Sequence, residues 1–312
     1  MYALVFPGQG SQSVGMGKEL FEAFPSSKAV FEEADDALSF HLTQLIFNGD
    51  EAELTLTKNS QPAIMTVSIA ALRALTDELG ANLAPACCAG HSLGEYTALV
   101  ASGVISFWDA VRLVRSRGQF MQEAVPEGVG AMAAVIGLDA EGVKNLCDGV
   151  APDGEISPAN FNSPGQVVIS GLSEYIDKAI ANAKTYGARK AVKLNVSAPF
   201  HSKFMKPAAE KLRLEFEKIS WNLAKYDIIA NVNANPVNKP EDIRDSLYRQ
   251  TFSPVLWENS VMYMADTLNI DTYYELGPGE VIAGLIKRCK KGMNIKSGGS
   301  PKTLEVIREC LL

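Results

Sequence analysis

The chain has 312 residues, enough for a large core with a second, smaller unit, and its 47% hydrophobic and 21% charged residues exclude a disordered or fibrous polypeptide. With 29 basic and 36 acidic residues its net charge is −7, which disfavours nucleic acid as a partner and requires a local basic pocket for any anionic ligand. Five cysteines without a C-x-x-C pair suggest neither a zinc site nor a disulfide framework, so Cys87, Cys88, Cys147, Cys289 and Cys310 are expected to be reduced, buried packing residues.

In chain order, "YALVF" at 2–6 is β-prone and ends in Pro-Gly, a short buried strand running into a glycine-rich loop. Its five apolar residues are too few for a signal peptide, and no segment approaches a membrane span, so a cytoplasmic chain with no membrane partner is expected. Helical periodicity follows at 16–24, 27–39 and 62–79. The apolar run 86–89 then leads through Gly-His-Ser-Leu-Gly into a helix from Leu93, and another helix covers 107–124. From 127 to 197 the pattern is β-α-β-β-α-β, with strands near 130–136, 155–160, 166–171 and 190–195, which predicts an inserted ferredoxin-like α+β subdomain. Beyond it, helices near 204–217, 241–250 and 280–291 alternate with "DIIANV" and "DTYYEL". These predict a discontinuous large α/β domain of residues 1–126 and 198–312 built on a parallel sheet. "KSGGSPK" at 296–302 reads as a loop.

The G-x-S-x-G stretch at 90–94 lies at a strand-to-helix turn, where small flanking residues relieve crowding and the serine hydroxyl is pushed outward. Ser92 is the candidate nucleophile. The N–H of Leu93, at the positive end of the following helix, is the natural first donor to an oxyanion. A serine needs a base, and there are three histidines. His41 falls inside a helical pattern and reads as structural, and His91 reads as packing support for the turn. His201, in "NVSAPFHSKFM" after a proline, is left as the base. Whether a backbone carbonyl or an acid orients it stays open.

The helix 107–124 carries Ala110, Val114 and Met121 on one stripe, and Arg117 falls on it, whereas Arg112 and Arg115 point away toward solvent. An inward guanidinium needs an anion, which is either an internal Asp or Glu or a substrate carboxylate gripped by two hydrogen bonds.

Six ordered segments, "FPGQGSQ" (6–12), "GHSLGEY" (90–96), "RLVRSRGQFMQEAVPEGVGAMAAVIGL" (112–138), "ANFNSPGQVVISG" (159–171), "APFHS" (198–202) and "ELGPG" (275–279), resemble the malonyl-CoA:acyl carrier protein transacylase family over nearly the whole chain. The resemblance implies a hydrolase-like α/β domain with a ferredoxin-like insertion. It implies Ser92 as the acylated nucleophile, His201 as its base, Gln9 and Leu93 N–H groups as the oxyanion hole, and Arg117 as the malonyl carboxylate's partner. Gln250 would orient His201 through its backbone carbonyl, and Phe200 would exclude an α-methyl branch. The implied activity is malonyl transfer from malonyl-CoA to the phosphopantetheine thiol of acyl carrier protein for fatty acid synthesis, by a monomer without metal or cofactor. "LIKRCKKG", with Lys287 to Lys291, is a candidate patch for the carrier. A serine thioesterase or esterase, a polyketide-pathway malonyltransferase and a non-catalytic carrier-binding module are the rivals, and Arg117 is the feature that an esterase does not need.

Overall fold

The computed structural model describes residues 1–152, 154–196 and 198–311. The strand Tyr2–Phe6 (β1) is apolar throughout, and Ala3 to Phe6 are at most 1% exposed, because both faces of the strand are covered. β1 pairs in parallel with β2 (Cys87–Gly90) on one side and with β9 (Thr272–Leu276) on the other. The remaining strands are β3 (Gly130–Ile136), β4 (Ile156–Ser163), β5 (Gln166–Leu172), β6 (Lys190–Lys193), β7 (Asp227–Ile229), β8 (Pro236–Val237) and β10 (Asn294–Gly298). The large sheet runs β10-β9-β1-β2-β7-β8, parallel except for the last pair. Alternation sorts its side chains. Leu4, Phe6, Cys88, Ile228 and Leu276 enter the core on one face, and Ala3, Val5, Cys87, Ala89 and Ile229 enter the core on the other.

The connections from β1 to β2 and from β9 onward leave in opposite directions, so the carboxyl ends of β1, β2 and β9 form the crevice at which ligands bind in open α/β sheets. Three glycine-bearing loops meet there. A Cβ on Gly8 would lie 2.4 Å from the His91 carbonyl oxygen, and one on Gly277, at φ 140°, would lie 2.3 Å from Ser68 Oγ and 2.8 Å from Pro7. Only glycine fits either position.

The second sheet is antiparallel, in the order β4-β5-β3-β6. The helices Ala140–Val150 and Ser173–Asn182 pack on it around Val135, Leu146, Ile169 and Ile176. This is the ferredoxin-like arrangement, set into the large α/β body. Its entry and exit touch, since a Cβ on Gly130 would lie 2.2 Å from the Pro199 ring. β4 is tied to the large body by Phe161 N–H donating to Val255 O at 2.9 Å and Val255 N–H donating to Ala159 O at 2.9 Å.

Several expectations are corrected. The stretch 296–302 is not a loop. Its first half completes β10, paired with β9, and Pro301–Leu311 is a terminal helix. Short polar edge strands carry little local signal and are specified by pairing. The helix expected to begin at 62 begins at Thr57 and contains Pro62, because burial of nearly every residue from 57 to 71 outweighs the hydrogen bond that proline removes. The helices Glu51–Thr55 and Trp257–Met262 and the short strand β8 were not anticipated, and the helical pattern read around His41 is the helix Leu42–Asn48. His41 lies exposed just before a helix rather than inside one. Cys310 is exposed and Cys289 half-buried, leaving Cys87, Cys88 and Cys147 as buried packing residues. Arg115 is half-buried over the Phe40 ring, 4.0 Å from its centroid, instead of being fully solvated. Among the described residues no helix is long and apolar enough to cross a membrane.

Candidate active site

At the end of β2 the chain turns sharply, and two glycines let it do so. A Cβ on Gly90 would lie 2.0 Å from the Gly94 carbonyl carbon, and one on Gly94 would lie 2.2 Å from the Phe6 carbonyl oxygen. Between them Ser92 adopts φ 51°, ψ −101°, a left-handed conformation that a non-glycine residue holds only when its surroundings over-determine it. Those surroundings are visible: Ser92 N–H donates to Asn231 Oδ1 at 2.7 Å, and its carbonyl accepts from Gln250 Nε2 at 3.0 Å and from Glu95 N–H at 3.1 Å. The Gly94→Ala variant should therefore lose about 2 kcal/mol of stability through overpacking, read as a lower midpoint in thermal unfolding.

The helix Leu93–Ala101 starts directly after Ser92. Leu93 N–H lies in its first turn, where no intrahelical carbonyl is available to it. Gln9 sits in the loop after β1, beside the Gly8–His91 contact, and its Nε2 donates to Thr57 Oγ1 at 3.5 Å.

His201 Nε2 is 2.8 Å from Ser92 Oγ, and its Nδ1 is 2.9 Å from the Gln250 carbonyl oxygen. A carbonyl can only accept, so the ring proton is on Nδ1 and the Nε2 lone pair faces the hydroxyl. The orienting group is thus a backbone carbonyl and not an acid. His201 is 4% exposed and also has a positive φ, 57°. Burial first, and then the nearby Arg117 charge, push its pKa down to about 3, so it is a neutral imidazole at physiological pH.

Arg117, in the helix Phe107–Glu123, is 1% exposed. Its Nη1 donates to Gln61 Oε1 at 2.8 Å, and its Nη2 donates to Ser92 Oγ at 3.0 Å and Gln250 Oε1 at 2.9 Å, while the guanidinium lies 5.1 Å from the Tyr96 ring centroid. Among the described residues no carboxylate forms an ion pair with it, so the internal salt bridge that helical phase allowed is not made. A buried cation held only by neutral acceptors is ready to receive an anion.

Ser92, His201, Arg117 and Gln250 are thus joined directly, Leu93 follows the serine, and Gln9 approaches through its loop. Phe200, adjacent to His201, is 6% exposed and packs in the cluster with Met121, Met132 and Val168. A cleft of about 850 Å³ opens between the large body and the small sheet, lined by Gln9, Leu56, Thr57, Gln122, Ala131 and Lys193. Sequence reasoning missed Gln61, Glu95, Asn162 and Asn231. Asn162 on β4 pairs with His91 Nε2 at 2.8 Å, and Asn231 supplies an amide to the Gly90 carbonyl at 2.8 Å. Polar residues in otherwise apolar or buried runs were the only available signal.

The acyl transferase domain family matches residues 3–297. The chain belongs to that family. Malonyl CoA-acyl carrier protein transacylase of Bacillus subtilis (strain 168) is 46% identical over 310 residues, spanning 99% of this chain and 96% of the relative. The enzyme of the same name from Escherichia coli (strain K12) is 46% identical over 308 residues, 99% of each. A malonyl-transacylase solved in complex with its type II polyketide synthase acyl-carrier protein superposes with a TM-score of 0.95 at 43% identity, covering 99% of both chains. Within this acyl transferase domain the described residues contain no group of three His, Cys, Asp or Glu side chains that could hold a metal ion.

Proposed function

We propose that the chain transfers the malonyl group from malonyl-CoA to the phosphopantetheine thiol of an acyl carrier protein through a malonyl ester on Ser92. The observation that carries this reading is the hydrogen bond to the hydroxyl of a Ser-His pair from a buried guanidinium that forms no ion pair among the described residues. The nucleophile and the anion receptor are adjacent.

Ser92 Oγ attacks the thioester carbon as its proton passes to His201 Nε2. The oxyanion is stabilised by the N–H groups of Gln9 and Leu93, and the CoA sulfur departs with the proton from His201. In the second half-reaction His201 takes the proton of the carrier thiol. The thiolate attacks the ester carbon, and Ser92 Oγ leaves with that proton. No step calls for a metal or cofactor. Arg117 binds the free carboxylate of the malonyl group bidentately, so that an acyl group lacking it leaves the guanidinium without an anion.

The same reading assigns the catalytic body to 1–126 and 198–312, the smaller unit to 127–197, and a monomer to the active species. A docking role for Lys287 to Lys291 belongs to it too, although Arg288 already donates to Gln166 and Lys290 pairs with Asp266. Fatty acid and polyketide pathways would use identical chemistry.

Intact-mass measurement after mixing with malonyl-CoA tests the reading. An adduct that vanishes when carrier thiol is added is the expected result, and release of CoA without any adduct would make water the acceptor and the chain a thioesterase. In the same assay Phe200→Leu should raise methylmalonyl loading relative to malonyl loading by about tenfold, the scale of one methyl group in a tight pocket. An unchanged ratio removes Phe200 from the account.

A further inference from the structure

Glu95, in the first turn of the helix after Ser92, is 1% exposed and has no part in the steps above. One of its oxygens, Oε2, accepts two hydrogen bonds, from Asn231 N–H at 2.9 Å and from Gln250 Nε2 at 2.8 Å. Both donor residues also bond to Ser92. Asn231 receives the Ser92 N–H, and Gln250 Nε2 also donates to the Ser92 carbonyl. The far oxygen of the Gln250 amide accepts from Arg117 Nη2, and the Gln250 main-chain carbonyl holds His201 Nδ1.

A glutamine amide has a donor end and an acceptor end, and which end faces which partner is decided by the neighbours. Glu95 Oε2 and Ser92 O are both acceptors, so they fix Nε2 toward themselves and leave Oε1 for the guanidinium. Flipping the amide would set Oε1 against two oxygens and the NH2 against Arg117. Burial lifts the Glu95 pKa to about 7, with the bonds from Asn231 and Gln250 opposing it. A proton on the other carboxyl oxygen still leaves Oε2 an acceptor.

Resting on the transferase reading, we propose that Glu95 is a positioning residue whose Oε2 fixes the Gln250 amide and Asn231, and through them the Ser92 backbone and the Arg117 guanidinium. It never touches substrate. Removing the acceptor while keeping the shape should therefore harm both the reactivity of Ser92 and the selection by Arg117, and restoring an acceptor without a charge should recover both.

The test compares wild type, Glu95→Met and Glu95→Gln in three measurements: malonyl loading, acetyl loading, and labelling of Ser92 by phenylmethylsulfonyl fluoride. Glu95→Met should slow labelling by about tenfold and reduce the malonyl-to-acetyl loading ratio by about tenfold, the cost of one misplaced buried hydrogen bond in each case. Glu95→Gln should stay within about threefold of wild type in both. The proposal is overturned if Glu95→Met labels and loads as wild type does, or if both variants lose activity alike with the loading ratio unchanged, which marks a carboxylate needed only for folding. Should wild type fail to load malonyl while labelling still follows the acceptor at position 95, the transferase reading falls and the positioning role stands.

Discussion

Ser92→Ala is expected to give no malonyl adduct at any time of incubation, and His201→Ala is expected to acylate about 10³-fold more slowly than wild type. Both follow from the 2.8 Å contact between Ser92 Oγ and His201 Nε2 and from the Nδ1–H bond to the Gln250 carbonyl, which leaves the reactive lone pair in place without an acid. The pH dependence is distinctive. A free imidazole would be largely protonated at pH 5, but a base depressed to about 3 remains available there, so His201 should impose no loss of acylation between pH 7 and 5. Stability should run the other way. Below the ordinary pKa of 6.5 the unfolded chain binds a proton that folded His201 refuses until about 3, so this residue lowers stability progressively as pH falls through that window. Rapid-quench acylation and thermal melts, each measured across pH, separate the two effects. An acid limb centred near 6.5 that persists in a variant of every other titratable site neighbour would contradict the buried-base account.

Arg117→Ala is expected to lower malonyl kcat/KM by about 100-fold while leaving acetyl loading within a few-fold of wild type. The loss reflects the charge-assisted bonds that a malonyl carboxylate would make. Acetyl loading on the same preparation controls for folding, because the substitution also strands the acceptors Gln61 Oε1 and Gln250 Oε1. Removing the cation takes away one of the influences that depress His201, which should make the imidazole more basic. Parallel loss of both acyl groups would indicate that Arg117 supports the serine alone and does not select the substrate.

The parts of this molecule that were legible in its sequence are those governed by local pattern. The unbroken apolar run "YALVF" ending in Pro-Gly, the helical stripe through Ala110, Val114 and Met121, and the glycines around Ser92 each state their geometry within a short stretch of chain. Gln9, Phe200 and Gln250 came from resemblance and not from spacing, since no periodicity singles out a glutamine at a helix end. Gln61, Glu95 and Asn231 escaped for a related reason. Their importance lies in bonds to residues far away in sequence, from Asn231 to Glu95 across 136 positions and from Arg117 to Gln61 across 56. β10 was lost because it offers only Ile295 as an apolar residue before Ser297 and the glycines, and its pairing with β9 makes it a strand.

The small sheet is spliced into the chain between Arg117 and His201. Arg117 lies in the second half of the helix that leads into it, His201 lies eight residues beyond β6, and the start of β3 at Gly130 presses against Pro199 in the segment after β6. Ser92 is outside this circuit, in the turn between β2 of the large sheet and the helix Leu93–Ala101. β4 is pinned to the large body through Val255 and through the Asn162–His91 pair, while β6 at the opposite edge is unpaired on its outer side within the sheet order. Arg117 and His201 thus stand on the two segments that bracket the small sheet, so a shift of that sheet would reach them before it reached Ser92.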